Sequence, residues 1–285
     1  MRNNLNNLFF ALIVLFSVLL GGVSRESPEE IVWEQKPEIT SLLAIVKTTA
    51  TAEEFAIRQV SPSGITATAV LVKDWFAFEP ALLVNGDQQW PMASLTKLMT
   101  AIVSWENIGK DTKITMSERA IATESAAGNF SVGGAYSFTD LVSALLKVSS
   151  NDAAAALAEF LGENRFLELM NQKAADLKMQ HTRFFDPSGL SSLNQATLED
   201  LEKLVAHIYY RHPEIFRITQ EKEGNIHPFA GRPDFIGGKT GFIDEANGNL
   251  ISLFNNDGRP LLIIVLGSED RANDTRILYN WFTSN

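Results

Sequence analysis

Strand-like segments fall at the two ends of the body of this chain and helix-like segments fill its middle. This order limits the fold more than any single motif does. Residues 65–72 alternate Thr66 and Thr68 with Ala67, Ala69 and Leu71, the period-two pattern of a strand. Residues 81–84 form a second apolar run, and Asn85-Gly86-Asp87 closes it with a turn. At the other end, 235–242 is followed by 250–254, a tight Asn255-Asn256-Asp257-Gly258 and 261–266, of which the last three read as an antiparallel hairpin. Between these ends only 113–116 suggests a further short strand. Helices are predicted after Ser94, after Ser137 with a hydroxyl cap, over 153–160 and 165–177, and from Thr197 to about 210. An amphipathic helix over 271–282 closes the chain. The expected fold is α+β: an antiparallel sheet packed with helices, plus an all-helical lobe inserted between its strands, with a cleft at the lobe boundary.

With 285 residues, 45% of them hydrophobic, the chain can bury a sizeable core. Its formal charge of -10 argues against nucleic acid as a partner, because phosphate binding needs a basic footprint. The absence of cysteine excludes disulfides, thiolate nucleophiles and Cys-ligated metals. Residues 8–23 are an unbroken apolar run preceded by Arg2 and followed by Arg25, Glu26, Glu29 and Glu30. The run reads as an export signal over residues 1–24, either a cleaved signal peptide or an uncleaved membrane anchor. Residues 25–64 read as an extracytoplasmic linker, and 65–285 as the working domain.

Ser94 and Lys97 lie three residues apart at the mouth of an apolar helix containing Leu95, Leu98, Met99, Ile102 and Val103. That spacing puts hydroxyl and amine on one face. Burial of such a helix would lower the lysine pKa and make it a base for the neighbouring hydroxyl. On these two residues alone, a capping serine and a lysine that snorkels to water is the commoner outcome. Ser149-Ser150-Asn151-Asp152, between two helical runs, is likewise read most simply as a capped turn, although it presents small polar side chains to whatever lies alongside.

Ser94-x-x-Lys97, Ser149-x-Asn151 and Lys239-Thr240-Gly241 occur in the order and at the separations of one known arrangement, that of class A β-lactamases and penicillin-binding proteins. Around them, Pro91-Met92-Ala93-Ser94-Leu95-Thr96-Lys97, Ser149-Ser150-Asn151-Asp152-Ala153, Asp186-Pro187-Ser188-Gly189-Leu190 and Gly238-Lys239-Thr240-Gly241-Phe242 closely resemble the D-alanyl-D-alanine carboxypeptidase family, the low-molecular-mass penicillin-binding proteins. The resemblance covers about 65–282 and implies a β-lactamase/transpeptidase-like fold. It also implies a serine peptidase that trims the terminal D-alanine of peptidoglycan stem peptides, with β-lactams as covalent inhibitors. By this resemblance Ser94 is the nucleophile, Lys97 its base, Ser149 a proton relay and Asn151 a positioning group. Lys239 and Thr240 would hold the substrate carboxylate, Gly241 would let the strand approach it, and the backbone N–H groups of Ser94 and Phe242 would form the oxyanion hole. No cofactor is implied. The protein is expected in the bacterial cell envelope, secreted or held to the membrane only through its N-terminal segment, since the C-terminal β-domain and membrane tail of many relatives are not expected here.

Ser150 stands where glycine is common in the family, Asn247 replaces a glycine and Ile243 a frequent threonine, departures that bear on substrate preference. A DD-endopeptidase uses the same site and is the nearest alternative. A β-lactamase needs a carboxylate for its deacylating water, for which Glu159, Glu163 and Glu168 are the available groups, but the 186–190 segment follows the carboxypeptidase pattern. A non-catalytic peptidoglycan-binding protein would not need all three motifs intact. His181, His207, His212 and His227 show no paired ligand spacing, so no metal is expected.

Overall fold

The computed structural model describes residues 62–124 and 127–284. In chain order, β1 (Ala69–Asp74) and β2 (Leu82–Val84) lead through the two-residue β3 (Trp90–Pro91) and a 3-10 turn (Ala93–Thr96) into α1 (Lys97–Asn107). There follow β4 (Lys113–Thr115), α2 (Glu118–Ile121), β5 (Ala135–Ser137), α3 (Phe138–Lys147), α4 (Asn151–Leu161) and α5 (Glu163–Asp176). The chain continues through β6 (Gln195–Ala196), α6 (Leu198–Arg211) and α7 (Pro213–Gln220) to β7 (Phe235–Ile243), β8 (Asn247–Asn256), β9 (Arg259–Ser268) and α8 (Arg271–Ser284).

The five long and short strands of the two ends form one antiparallel sheet in the order β2-β1-β9-β8-β7. β9 sits at its centre and is buried from Pro260 onward. Its apolar run is continuous because both faces are covered, and the period of two divides it between two cores. Leu262, Ile264 and Leu266 face the helical lobe with Leu71, Ile251 and Leu253. Leu261, Ile263 and Val265 pack with Val70, Phe254 and Leu278 of α8 on the other side. The turn from β8 to β9 places Asp257 and Gly258 at φ 52° and 83° between the paired Asn256 and Arg259. Positive φ at both central residues is the hairpin geometry that Asp-Gly favours.

The first strand begins later than its alternation predicts. Asp274 of α8, fully buried, accepts from the backbone N–H of Ala67 at 2.9 Å and from the Thr66 hydroxyl at 2.8 Å. Those groups are thereby anchored to a helix end, and regular pairing runs over Ala69–Asp74. The inserted lobe is helical apart from two small ribbons, β3 with β6 and β4 with β5. Its helix starts are local in origin. Ser137 caps α3 in a reciprocal box with Asp140, Thr197 caps α6 through the Asp200 N–H, and Ser150 caps α4 through the Ala153 N–H. The helix α7 was not anticipated. It starts on Pro213 directly after α6, where proline needs no N–H partner, and it packs against β7.

The apolar run 8–23 expected as a signal or anchor, and the segment expected as a linker as far as residue 61, lie outside the described residues. Among the described residues no helix is long and apolar enough to cross a membrane.

Candidate active site

The turn carrying Ser94 is held against the sheet by an asparagine that no motif flagged. Buried Asn249 of β8 donates from Nδ2 to the carbonyls of Pro91 and Met92 at 2.8 and 3.2 Å and accepts from the Gly267 N–H at 3.0 Å. The edge strand β7 then runs close beneath the turn. A Cβ on Gly241 would stand 2.8 Å from the Met92 carbonyl oxygen, so glycine is needed there for clearance.

Lys97 is fully buried in the first turn of α1, and its Nζ donates to Ser94 Oγ at 2.9 Å, Asn151 Oδ1 at 2.6 Å and the Ser188 carbonyl at 2.6 Å. An ammonium has three donors, and all three are matched. Burial nevertheless pulls the amine from its ordinary range to about 7, against the opposing pull of the Asp186 and Asp152 carboxylates. The amine is therefore poised to exist uncharged near neutrality.

The Ser188 carbonyl is presented by a turn built on Asp186. Its Oδ1 accepts from the Ser188 N–H, the Ser188 hydroxyl and the Gly189 N–H, and its Oδ2 from the Ser191 N–H. Gly189 has φ 85°, and a Cβ there would meet the Ala93 carbonyl oxygen at 1.9 Å. The Asp-Pro-Ser-Gly segment is thus a wedge between the Ser94 turn and the lobe.

Ser149 sits at φ 61° between α3 and α4, so its side chain leaves the helical path. Its Oγ accepts from Lys239 Nζ at 2.9 Å. Asn151, in the first turn of α4, reaches Lys97 with its oxygen and donates from Nδ2 to the Glu124 carbonyl at 2.7 Å. Ser150 is both the helix cap and a donor to Asp152 Oδ1, so the capped-turn reading and the site reading describe the same segment. Lys239 is also buried, and burial holds its amine well below the ordinary range, with further contributions from the positive charges of Lys97 and Arg271. Arg271 of α8 donates to the Gly241 carbonyl.

These groups meet at a cleft of about 550 Å³, lined among others by Ser94, Ser149, Asn151, Thr240, Phe242 and Arg271. Gly238 of β7 donates its N–H outward, to Thr219 Oγ1 on α7. By the two-residue period of a strand, the N–H of Phe242 points to that same open edge. Asn247 has φ 54°, a conformation asparagine tolerates better than most residues. Glu159 and Glu163 are engaged by Arg119, and Glu168 by Arg165, on the lobe surface.

A buried lysine bonded to a cleft-lining serine at the junction of an antiparallel sheet and a helical lobe is the architecture of the penicillin-binding serine peptidases. Residues 59–270 match the D-alanyl-D-alanine carboxypeptidase family, and the chain belongs to it. Over 87% of this chain and 69% of the relative it is 29% identical to D-alanyl-D-alanine carboxypeptidase DacA of Haemophilus influenzae. It is 35% identical to a D-alanyl-D-alanine endopeptidase of Pseudomonas aeruginosa over 69% of this chain and 71% of that one. Among solved structures, a penicillin-binding protein of Listeria monocytogenes in its cefotaxime-bound form superposes with a TM-score of 0.69 at 28% identity, covering 78% of this chain and 98% of that one. Penicillin binding protein 5 of Haemophilus influenzae gives 0.72 at 26% identity, covering 79% and 73%.

Proposed function

We propose that this chain is a serine-type D-Ala-D-Ala carboxypeptidase of the bacterial cell envelope, acting through an acyl-enzyme on Ser94. The observation that carries this reading is the contact of a desolvated lysine amine with the Ser94 hydroxyl. Uncharged Lys97 takes the Ser94 proton as Oγ attacks the carbonyl of the terminal peptide bond. The backbone N–H groups of Ser94 and Phe242 receive the developing negative charge. Ser149 passes a proton to the leaving amine of D-alanine, and Asn151 holds Lys97 and the substrate amide. Lys239 and Thr240 take the substrate's terminal carboxylate, whose charge favours the ammonium form of Lys239. Water then hydrolyses the ester. The substrate is the peptidoglycan stem peptide, and β-lactams acylate the same serine. Residues 1–24 serve as signal or anchor and 25–64 as the linker that sets residues 65–285 outside the membrane.

The 35% identity to the Pseudomonas aeruginosa endopeptidase supports a second reading, in which cross-linked dimers are cut at the same site. The ion pairs of Glu159, Glu163 and Glu168 favour a peptidase over a β-lactamase. The test is to incubate wild type and Ser94→Ala with labelled penicillin, a pentapeptide ending in D-Ala-D-Ala, and a cross-linked dimer. Label at Ser94 with released D-alanine is expected. Cleavage of the dimer alone would select the endopeptidase, rapid penicillin turnover a lactamase, and an unlabelled Ser94 would end the acyl-enzyme mechanism.

A further inference from the structure

A second cluster of chemically capable side chains stands at the opposite end of α1 from Lys97, about 14 Å along the helix. Glu106 Oε1 lies 3.1 Å from Nε2 of His212 and 3.7 Å from Nε2 of His207. The donor atoms of these three residues all lie within 4.8 Å of one another. The Nε2 of His207 is buried and has no hydrogen-bond partner among the described residues, an orphaned polar atom aimed at the cluster. The two imidazole rings are tilted by 57° with centroids 5.2 Å apart, converging without stacking. Behind His212, its Nδ1 lies 3.6 Å from Glu214 Oε1, an ion-pair distance outside hydrogen-bond range, from which a small closure would let the carboxylate orient a ligand imidazole.

We propose that Glu106, His207 and His212 form a binding site for one zinc-class divalent cation, with a fourth position open to water. Ligand bonds of about 2.0–2.2 Å in a tetrahedral site put neighbouring donor atoms about 3.3–3.6 Å apart, which the two distances from Glu106 bracket. Two imidazoles and one carboxylate suit zinc and its neighbours, whereas calcium and magnesium prefer oxygen alone. The two carboxylates of Glu106 and Glu214 stand against the ammonium of Lys173, which contacts both Glu106 oxygens at 2.9 and 2.8 Å. When the ion takes Oε1, Lys173 keeps Oε2, and its charge moderates the affinity. The bound ion would tie α1 to the junction of α6 and α7, bracing the helix that carries Lys97 at its other end. His207 and His212 stand at H-x4-H spacing, a ligand-like separation that the histidine reading of the sequence passed over, whereas Glu106 comes from a different helix and joins them only in the fold.

The test uses the full chain, stripped with EDTA and titrated with Zn²⁺ by calorimetry, and with Co²⁺ by visible absorption. One equivalent is expected to bind, to raise the thermal midpoint and to give Co²⁺ bands of a site with nitrogen ligands. His207→Ala and His212→Ala should each weaken binding by about tenfold or more, and Glu214→Gln by about tenfold. His181→Ala should leave it unchanged. Lys173→Met should tighten binding, a change in the direction that damage to the fold would not produce. The proposal is overturned if wild type binds no equivalent of either ion, or if binding is unaffected by both histidine substitutions. Unfolding of each variant in EDTA checks that it is folded.

Discussion

The Nζ of Lys97 lies 2.9 Å from the Oγ of Ser94, and two further acceptors, Asn151 Oδ1 and the Ser188 carbonyl, fix it there at 2.6 Å each. The amine is solvated by protein alone. Lys97→Ala should therefore slow acylation of Ser94 by labelled penicillin about 10²- to 10⁴-fold, the range for loss of a positioned base. Lys97→Arg should fare no better, since a guanidinium does not give up its proton near neutrality. Stopped-flow labelling measures both, and acylation by either variant at the wild-type rate would remove Lys97 from the mechanism.

The pH dependence follows from the same group. Burial brings the Lys97 amine to about 7, and the base works only when uncharged, so the acylation rate should rise as pH increases through about 7 and level off above it. Asp186 is the largest of the influences holding that value up. In Asp186→Asn the ammonium loses a stabilising charge, the Lys97 pKa falls further, and the rising limb should move to lower pH. Second-order acylation rates across neutrality check both statements. A flat wild-type profile, or a limb displaced upward in Asp186→Asn, would contradict them.

Gly189→Ala should disrupt the Ser188 turn. Its Cβ would stand 1.9 Å from the Ala93 carbonyl oxygen at a φ of 85° that alanine rarely adopts. Backbone on one side and strain on the other leave no cheap relaxation, so a loss of about 3 kcal/mol or more is expected in urea unfolding, together with loss of penicillin labelling.

Asn249→Leu keeps the approximate volume but leaves the Pro91 and Met92 carbonyls and the Gly267 N–H without their side-chain partner. At about 1–3 kcal/mol for a buried polar group left unsatisfied, a destabilisation of about 3 kcal/mol is expected. Acylation should fall as well, because this side chain ties the Ser94 turn to the sheet. Urea unfolding and labelling rates on the same preparation separate the two effects.

Much of the framework was legible because it is local. The caps at Ser137 and Thr197 are read from the next three residues, and the β8–β9 hairpin from its Asp-Gly turn. Contacts that join distant residues left no such trace. Asp274 displaces the start of β1 from across the domain, and Asn249 supports the Ser94 turn from β8, the strand next to the β7 edge. The short helix α7 hid behind Pro213, which reads as a stop for α6 and serves as the start of the next helix.

By itself the sequence determined the longer elements of the sheet and the lobe, the neighbouring placement of Ser94 and Lys97, and the likeness of three motifs to one family, because side-chain periodicity and motif order are properties of the chain alone. Tertiary structure decided what those residues can do. Only packing puts Ser149 against Lys239, brings Asn151 and the Ser188 carbonyl to Lys97, and gathers Glu106, His207 and His212 into one cluster. The lysine at the mouth of α1 is drawn toward its uncharged form near neutral pH because the lobe and the sheet together exclude water from it, and desolvation depends on what surrounds a group in space rather than on its neighbours in sequence.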